Sequence, residues 1–505
     1  MSALPLRPYA VLLPVALLFA VLSHYFYWQI GDDSYIYFRY VERALAGQWW
    51  SWSDHSAPVE GYSSPLWYLL LIAAGKAGLA VETAARALGL LFAAVTVAGG
   101  WQLGRQLGLN HGQAALACLL LVLNHGFHYW STAGLETALY MALFVWSVCG
   151  IVAGRHWLLP TALIGIARPE GPFLLLAIVV ALVVFRRQLL SPVSLALLLV
   201  PTLLWLLLRL AVYGVPLPNT FYAKATGGDT FSQLALGTLY CLPVLLPLLA
   251  IWLLWLARKL EAQRDTVMVA AGMVTMLLGI VWLGGGDWMF HFRLLTPMLA
   301  PLLALWLYAM VQTGTAARLL LCTSLLPLVL LVVPPPQLLA AFTGKQLPVQ
   351  LYQEGEFTAA SIRLAARLRE DYPDGVLIAV NHAGALPWAL PAFDVIDMVG
   401  LNDAHIARVE GNMHKKNDPD YVLSLQPQLL ILNSRKRPGT DGIWYHPGYW
   451  SGETALVEHP GFADYQPTGQ LMAWDWQIPF PYSLFARQKN LTSWIIVYRY
   501  QPSAP

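Results

Sequence analysis

The chain has 505 residues, of which 57% are hydrophobic and only 11% are charged. Soluble globular proteins carry about 25% charged residues, so this composition excludes a soluble protein and indicates one that is integral to a membrane. The net charge is only +2 and no basic block is present, so nothing indicates a nucleic-acid partner.

Apolar segments follow one another along the first two thirds of the chain. A run at about 8–28 is long enough to span a bilayer and lacks a clear cleavage site, so we expect a retained anchor rather than a signal peptide. A triple proline at 334–336 ends this region, which we predict to be a transmembrane module over residues 1–336. Its further apolar runs lie at about 65–79, 86–104, 113–124, 135–153, 157–167, 171–185, 189–212, 237–257, 267–284, 293–312 and 317–333.

Basic residues in short connections predict the orientation, because such loops are retained in the cytoplasm. These basic residues place the loop at 29–64 on the outer face, provided that residues 65–79 do not cross the membrane. That run has ~15 residues against the ~20 needed to span, so we predict that it stays in the outer leaflet. The chain would then cross the membrane about eleven times and have its C-terminal part outside. An even number of crossings would instead put the C-terminal part in the cytoplasm. The cytoplasmic markers are Arg7, Arg105, Arg155, Arg186, Arg187, Arg258, Lys259, Arg264 and Arg318.

Residues 337–505 have a different character, since this third of the chain holds about half of the charged residues. We predict a soluble α/β domain that contains a Gly-, Pro- and Trp-rich excursion at about 438–485. Asp418 or Asp420 could cap a short helix. Apolar periodicity predicts a helix over Glu356–Asp371 and strands over Val376–Val380, Phe393–Met398, Leu429–Leu432 and Ser493–Tyr498.

Two adjacent carboxylates, Asp32 and Asp33, follow the first apolar run. Ionised groups beside hydrocarbon are costly and usually persist there for function. A carboxylate held opposite a leaving group can deprotonate an acceptor hydroxyl. The alternative is a helix cap followed by an interfacial belt of aromatic residues. Because two acidic residues are adjacent and other polar clusters are predicted on the same face of the membrane, we favour a catalytic role over a helix cap.

Those other clusters combine carboxylates with cations. Each cluster alone is more often a structural ion pair or a snorkelling side chain than a site, but their convergence on one face predicts a shared cavity. A phosphate at a bilayer surface needs such cations, with Arg as a bidentate fork and Lys as a point charge. The strongest candidates are Lys224 and Arg293, followed by Arg39 and Arg168.

Metal binding has little support in the sequence. His382, His405 and His414 do not show a zinc spacing, and no Cys pair accompanies them. Asp32 and Asp33 could hold a divalent cation together with sugar or phosphate oxygens. No nucleotide-binding loop is present, and no other cofactor is predicted.

Several motifs resemble a known family, the C-type glycosyltransferases, which are polytopic enzymes that use polyprenyl-phosphate sugars. Within it they resemble the terminal β-(1→2) arabinofuranosyltransferases of mycobacterial cell walls and their relatives. The motifs are Asp32-Asp33-x-Tyr-Ile-x-Phe-Arg-Tyr, Val-Glu60-Gly-Tyr-Ser-Ser-Pro-Leu-Trp, Gly-Leu-Glu136-Thr, Arg168-Pro-Glu170-Gly, Pro-Asn219-Thr-Phe-Tyr-Ala-Lys224, Gly-Gly-Asp287-Trp-Met-x-x-x-Arg293 and Gly400-Leu401-Asn402-Asp403.

The resemblance implies inverting transfer of D-arabinofuranose from a polyprenyl-phosphate donor on the periplasmic side of a bacterial inner membrane. Asp32 or Asp33 would be the base, and Lys224, Arg293 and Arg39 would hold the phosphate. Candidates for the acceptor side are Asn402, Asp403, His414 and Lys415, although residues 411–416 depart from the family's Gly-His-Glu-Lys-like string. The sugar and acceptor pocket would be formed by Glu60, Tyr62, Glu136, Arg168, Glu170, Asn219, Tyr222, Asp287 and Trp288.

Three alternatives stay open. The same scaffold could use another lipid-phosphate sugar, such as mannose or aminoarabinose. A flippase of lipid-linked sugars fits less well, because alternating access needs a site near the bilayer midplane. A structural assembly subunit would leave the acidic pair unexplained. The acceptor could be a cell-wall glycan, a lipopolysaccharide or a protein such as a pilin.

Overall fold

The structure of the chain is a computed structural model. It describes residues 10–27, 30–224, 230–287, 289–327, 353–411, 415–439, 443–447, 451–477 and 490–502. Two predicted site residues, Trp288 and His414, lie outside these ranges.

The described residues up to 327 form helices joined by connections that are mostly short, the longest being residues 46–64. The helices are α1 Leu13–Phe26, α2 Asp32–Leu45, α3 Pro65–Lys76, α4 Val81–Gln106, α5 His111–Val122, α6 His125–Thr132, α7 Thr137–Ala153, α8 Leu158–Ile164, α9 Gly171–Phe185, α10 Pro192–Tyr213, α11 Asn219–Lys224, α12 Thr230–Leu256, α13 Arg264–Leu283, α14 Thr296–Gln312 and α15 Thr315–Ser324.

Within the described residues, the four helices α4, α10, α12 and α13 are long and apolar enough to cross a bilayer. Helices α6 and α7 would make a fifth crossing as a pair bent by 117°. Helix α3 has 12 residues, which is about 18 Å against ~30 Å of hydrocarbon. Its length agrees with a segment that stays in one leaflet. The number of about eleven crossings stays a prediction.

Glycines let the helices approach closely in the centre of the bundle. Helix α4 packs against α5, α7 and α14, and a Cβ at Gly99 would lie 2.5 Å from the Val145 side chain. A Cβ at Gly104 would lie 3.2 Å from Ala114 Cβ. Small residues at such crossings allow the van der Waals packing that holds helices together in lipid. Helix α14 is buried along nearly its whole length and forms the centre of the core.

The C-terminal part is built on a five-stranded mixed sheet with the strand order β2-β1-β3-β5-β4. Strand β1 is parallel to β2 and β3, whereas β5 is antiparallel to β3 and β4. The strands are β1 Leu377–Val380, β2 Asp394–Asp397, β3 Leu429–Ser434, β4 Tyr465–Gln477 and β5 Asn490–Tyr500, and the helices are α16 Gln353–Asp371, α17 Ala385–Trp388, α18 Pro419–Ser424 and α19 Ser451–Glu458.

The four predicted strands coincide with β1, β2, β3 and β5, and the predicted helix coincides with α16. Asp418, one of the two proposed caps, accepts a hydrogen bond from Tyr421 N at 3.0 Å at the start of α18. Strand β4 was not predicted, because Pro467 and Gly469 interrupt its alternation. The structure absorbs them in a register shift between Pro467 and Leu471.

The two faces of the sheet belong to different hydrophobic cores. Ile378, Val380 and Ile431 share a core with the membrane helices, through α16 and α17. Their chain neighbours Ala379, Leu430 and Leu432 belong to a second core on the other face. Because successive side chains of a strand point to opposite faces, one face of the sheet packs against the helical part of the protein.

Candidate active site

A cavity of about 400 Å³ lies where α2, α11, the α6–α7 break and the ends of α12 and α13 meet the C-terminal domain. Five of the predicted site residues line it, although they come from distant parts of the sequence: Asp33, Glu136, Arg168, Lys224 and Arg293. Ser63, Thr220 and Leu401 also line it; they belong to the motifs quoted above but were not predicted as site residues. Gln233, another lining residue, was not singled out, and Tyr37 was considered only as part of an aromatic belt.

The two adjacent aspartates face different surroundings. Asp33 lines the cavity, as do Ile36 and Tyr37 on the same side of α2. Asp32 accepts a hydrogen bond from Ala385 N at 2.8 Å in the C-terminal domain. Neighbours on an α-helix point about 100° apart, and here one direction leads to the cavity and the other to the C-terminal domain. The structure therefore separates the two candidates for the base.

The two side chains also differ in the groups that they contact. Burial against the C-terminal domain raises the pKa of Asp32 to about 7, and the nearby charge of Asp33 adds to this effect. Asp33 has no hydrogen bond or ion pair with any described residue, so its carboxylate is available to a ligand in the cavity.

Tyr37 connects α2 to the loop before α3. Its hydroxyl accepts hydrogen bonds from Ser63 N at 3.2 Å and from Ser64 N at 2.8 Å. Ser64 in turn caps α3 by accepting from Trp67 N. These bonds hold the loop at 61–64 against the cavity wall beside Asp33.

Arg168 lies in an acidic clamp. Its Nη1 donates to Glu136 Oε1 at 2.6 Å and its Nε donates to Glu170 Oε1 at 2.5 Å. Burial disfavours the cation, but the two carboxylates more than offset this and raise its pKa. Arg168 and Glu136 thus present one fixed, nearly neutral polar surface to the cavity, which is suited to sugar hydroxyls.

Arg293 and Lys224 bring positive charge to the same cavity. Arg293 donates from Nε to Asp287 Oδ2 at 2.7 Å and stacks over Trp130 at 5.5 Å. Lys224 has no ion pair or hydrogen bond with any described residue. Surrounding protein atoms and then the charge of Arg293 lower the pKa of Lys224. Lys224 feels the charges of Asp33 and Asp287 as well as that of Arg293, but it forms no ion pair with a described residue, so its ammonium group is available to an anion.

Several predicted site residues instead hold the loops together. Glu60 forms an ion pair with Arg209 and accepts from Trp205 Nε1, and Tyr62 contacts Tyr213 through their hydroxyl groups. Asn219 donates from Nδ2 to the carbonyls of Gly400, Leu401 and Asp403. The carbonyl of Tyr222 accepts from Lys416 Nζ at 2.8 Å.

The prediction that Arg39 binds phosphate does not agree with its position. Arg39 is 3% exposed and donates to the carbonyls of Trp52, Pro387, Leu390 and Phe393. It lies six positions after Asp33, about 240° around the helix at ~100° per residue. This rotation turns it away from the cavity and toward the C-terminal domain.

The acceptor-side candidates in the C-terminal domain also have local partners. Asn402 donates from its backbone N and from Nδ2 to Asp397 Oδ2, and Asp403 accepts from Ile406 N and from the Tyr421 hydroxyl. Lys415 is exposed and does not line the cavity. Only the neighbouring Leu401 brings this loop to the cavity among the residues that the structure describes.

A metal site is not assembled by the side chains that the structure describes. No three His, Cys, Asp or Glu residues gather there in an arrangement that could hold a metal ion. Asp32 and Asp33, the pair considered for a divalent cation, point in different directions, and Asp32 is engaged by Ala385 N. These residues do not fit a cation bound by the pair.

Comparison with solved structures shows the fold. The chain is similar to ArnT from Cupriavidus metallidurans bound to undecaprenyl phosphate, with a TM-score of 0.55, 15% identity and coverage of 95% of this chain and 97% of that one. It is also similar to the oligosaccharyltransferase of Archaeoglobus fulgidus in the apo form, with a TM-score of 0.53, 13% identity and coverage of 94% and 76%. These likenesses show the fold alone. They agree with the coarser part of the predicted fold class, a mostly helical chain with several apolar helices.

Other comparisons add little about activity. A domain of unknown function, DUF8728, matches residues 349–489, and no curated protein matches the chain. The arabinofuranosyltransferase AftD from Mycobacteria matches with a TM-score of 0.46 and 14% identity, covering 99% of this chain and 40% of that one. This likeness is too weak to support a choice of sugar, so the arabinofuranosyl assignment stays a prediction.

Proposed function

We propose that the chain is a membrane glycosyltransferase that moves a sugar from a polyprenyl-phosphate donor to an acceptor hydroxyl, with inversion at the anomeric carbon. The observation that carries the proposal is the cavity in which an unpaired carboxylate, Asp33, shares its walls with Lys224 and Arg293. The fold is shared with a protein whose structure contains undecaprenyl phosphate, which supports a lipid phosphate as the ligand of the two cations.

Asp33 is the general base in this proposal. A base must reach the acceptor hydroxyl and be free to take its proton as the new glycosidic bond forms. Among the carboxylates that line the cavity, Glu136 is engaged by Arg168, whereas Asp33 has no partner among the described residues. Asp33 therefore meets both conditions.

Lys224 and Arg293 stabilise the departing lipid phosphate. As the bond between the anomeric carbon and the phosphate oxygen breaks, negative charge collects on the phosphate, and preorganised cations lower the energy of that state. Arg293 is held in place by Asp287, so its direction does not depend on the ligand. The clamp of Arg168, Glu136 and Glu170 would orient the sugar between base and leaving group.

D-arabinofuranose is the proposed sugar because the motifs on which the cavity is built resemble those of arabinofuranosyltransferases. The cavity faces the periplasm of a bacterial inner membrane in this proposal, and the acceptor is a glycan, lipopolysaccharide or surface protein. The same walls could accept mannose or aminoarabinose on the same lipid phosphate.

Transfer from defined donors tests the proposal. The purified chain in detergent is given radiolabelled polyprenyl-phosphate arabinofuranose, with acceptor membranes from a strain that lacks the protein, and transfer is compared with mannosyl and aminoarabinosyl donors. Asp33→Asn is expected to lower kcat by at least about 100-fold through loss of the base, while the exposed Asp374→Asn keeps wild-type activity. Full activity of Asp33→Asn would refute the proposal, and lipid movement without a new glycosidic bond would favour a flippase.

A further inference from the structure

We propose that Asp32 and Arg39 are positioning residues, which aim Asp33 into the cavity by fixing helix α2 to the C-terminal domain. The proposal rests on the function proposed above, because it concerns how the same base is held. It gives the first carboxylate of the acidic pair a task that is not proton transfer.

The two side chains hold one short segment of the C-terminal domain from both ends. At its start, Asp32 Oδ1 accepts from Ala385 N at 2.8 Å. At its end, the Arg39 guanidinium donates to the carbonyl oxygens of Pro387, Leu390 and Phe393. An acceptor thus meets a backbone N–H at one end, and a five-donor fork meets three carbonyl oxygens at the other. Two of these carbonyls, those of Pro387 and Leu390, also accept backbone hydrogen bonds, so Arg39 adds to the bonds within the segment.

Asp32 and Gly384 are in close contact. A Cβ at Gly384 would lie 2.1 Å from the Asp32 carbonyl oxygen and 2.4 Å from Asp32 Oδ2. Between the two polar ends, Tyr35 packs against Trp388 with ring centroids 4.8 Å apart. Asp32, Tyr35 and Arg39 are three and four positions apart, so they form one face of α2.

The opposite side of the same turn is fixed to the membrane helices. Ser34 Oγ donates to the Ala133 carbonyl at 2.5 Å, and Gly31 N donates to the same oxygen at 3.3 Å. Asp33 lies between these two anchored neighbours and points into the cavity. Its direction is therefore determined by contacts that Asp32 and Ser34 make, rather than by a bond of its own.

The test separates a positioning carboxylate from a reacting one. Asparagine in place of Asp32 cannot take a proton, but its Oδ1 can still accept the Ala385 N–H, so Asp32→Asn should stay within about fivefold of wild-type kcat. Asp32→Ala removes the acceptor and should lower kcat about 10- to 100-fold with little change in donor KM, because small misplacement of a reacting group has effects of that size. Arg39→Lys keeps the charge but replaces the planar fork by a compact ammonium group with three donors for the four carbonyls that Arg39 contacts, and should act in the same direction.

A second measurement needs no substrate. Hydrogen exchange of residues 32–45 and 384–390 in the full chain should be faster in Asp32→Ala and unchanged in Asp32→Asn. Gly384→Ala approaches the contact from the other domain and should reproduce the loss of kcat, while Gly314→Ala, which has no neighbour within 4 Å of the added Cβ, serves as the control.

Two results would overturn the inference. One is an Asp32→Asn variant as inactive as Asp33→Asn, which would make Asp32 a reacting group. The other is an Asp32→Ala variant with wild-type kcat and wild-type exchange. Failure of the proposed function gives a different result, because the wild-type chain then transfers no sugar while the exchange measurement still reports whether the contact holds α2.

Discussion

Replacing Lys224 by glutamine provides the sharpest test of the proposal that the cavity binds the lipid phosphate. Lys224 lines the cavity and has no ion pair or hydrogen bond with any described residue. Its removal therefore leaves no buried partner unsatisfied, and the fold should not depend on it. In the proposed function its charge is instead available to the donor and, more strongly, to the departing phosphate.

The expected decrease in kcat/KM follows from the kind of bond that is lost. A hydrogen bond to a charged group contributes about 1.5–3 kcal/mol, which corresponds to a decrease in kcat/KM of about 10- to 150-fold. Part of this loss should appear in kcat, because the phosphate gains negative charge as the sugar leaves. The thermal unfolding temperature should stay at the wild-type value.

The assay is donor kinetics in detergent, together with competition by free undecaprenyl phosphate. Lys259→Gln is the matched control, because Lys259 lies far from the cavity. Gln233, near the start of α12, lines the cavity, whereas Lys259 follows the other end of that helix. At the rise of an α-helix the two residues are about 39 Å apart. A Lys224→Gln variant with kcat/KM within about twofold of wild type, or one that loses activity only in parallel with its unfolding temperature, would refute the reasoning.

Two further predictions concern stability. Glu60→Ala should destabilise the chain by about 3–5 kcal/mol, because it leaves the largely buried Arg209 without its carboxylate; unchanged thermal unfolding with altered sugar selectivity would instead return Glu60 to the sugar pocket. Burial raises the pKa of Glu453 to about 8, so the folded chain keeps a proton that the unfolded chain has released, and stability falls as pH rises toward 8. Glu453→Gln should reduce the loss of unfolding temperature between pH 6 and pH 9, and an equal loss in both proteins would contradict this.

Much of the architecture could be predicted from the sequence because it depends on local patterns. The low share of charged residues indicates a membrane protein, and the apolar periods of β1, β3 and α16 are visible without a partner. Strand β4 could not be predicted, because Pro467 and Gly469 break its alternation and only pairing with β5 gives it a strand conformation.

The members of the cavity were predictable as residue types but not as an arrangement. Charged residues at Asp33, Glu136, Arg168, Lys224 and Arg293 are costly near a membrane, so each drew notice as a candidate. Tyr37 and Gln233 did not, because aromatic and amide side chains at such positions are common and carry no such cost. Their place in the cavity follows only from the packing of α2 and α12.

The sequence by itself determined that this is a membrane protein with an acidic pair among convergent polar loops, because composition and hydrophobic period act residue by residue. Only the tertiary structure decided how that pair is divided. Successive residues of α2 point about 100° apart, and the side that turns toward Ala385, more than three hundred residues away, is turned away from the cavity. Long-range packing therefore leaves Asp33 open to a ligand and engages Asp32 and Arg39 in holding the helix.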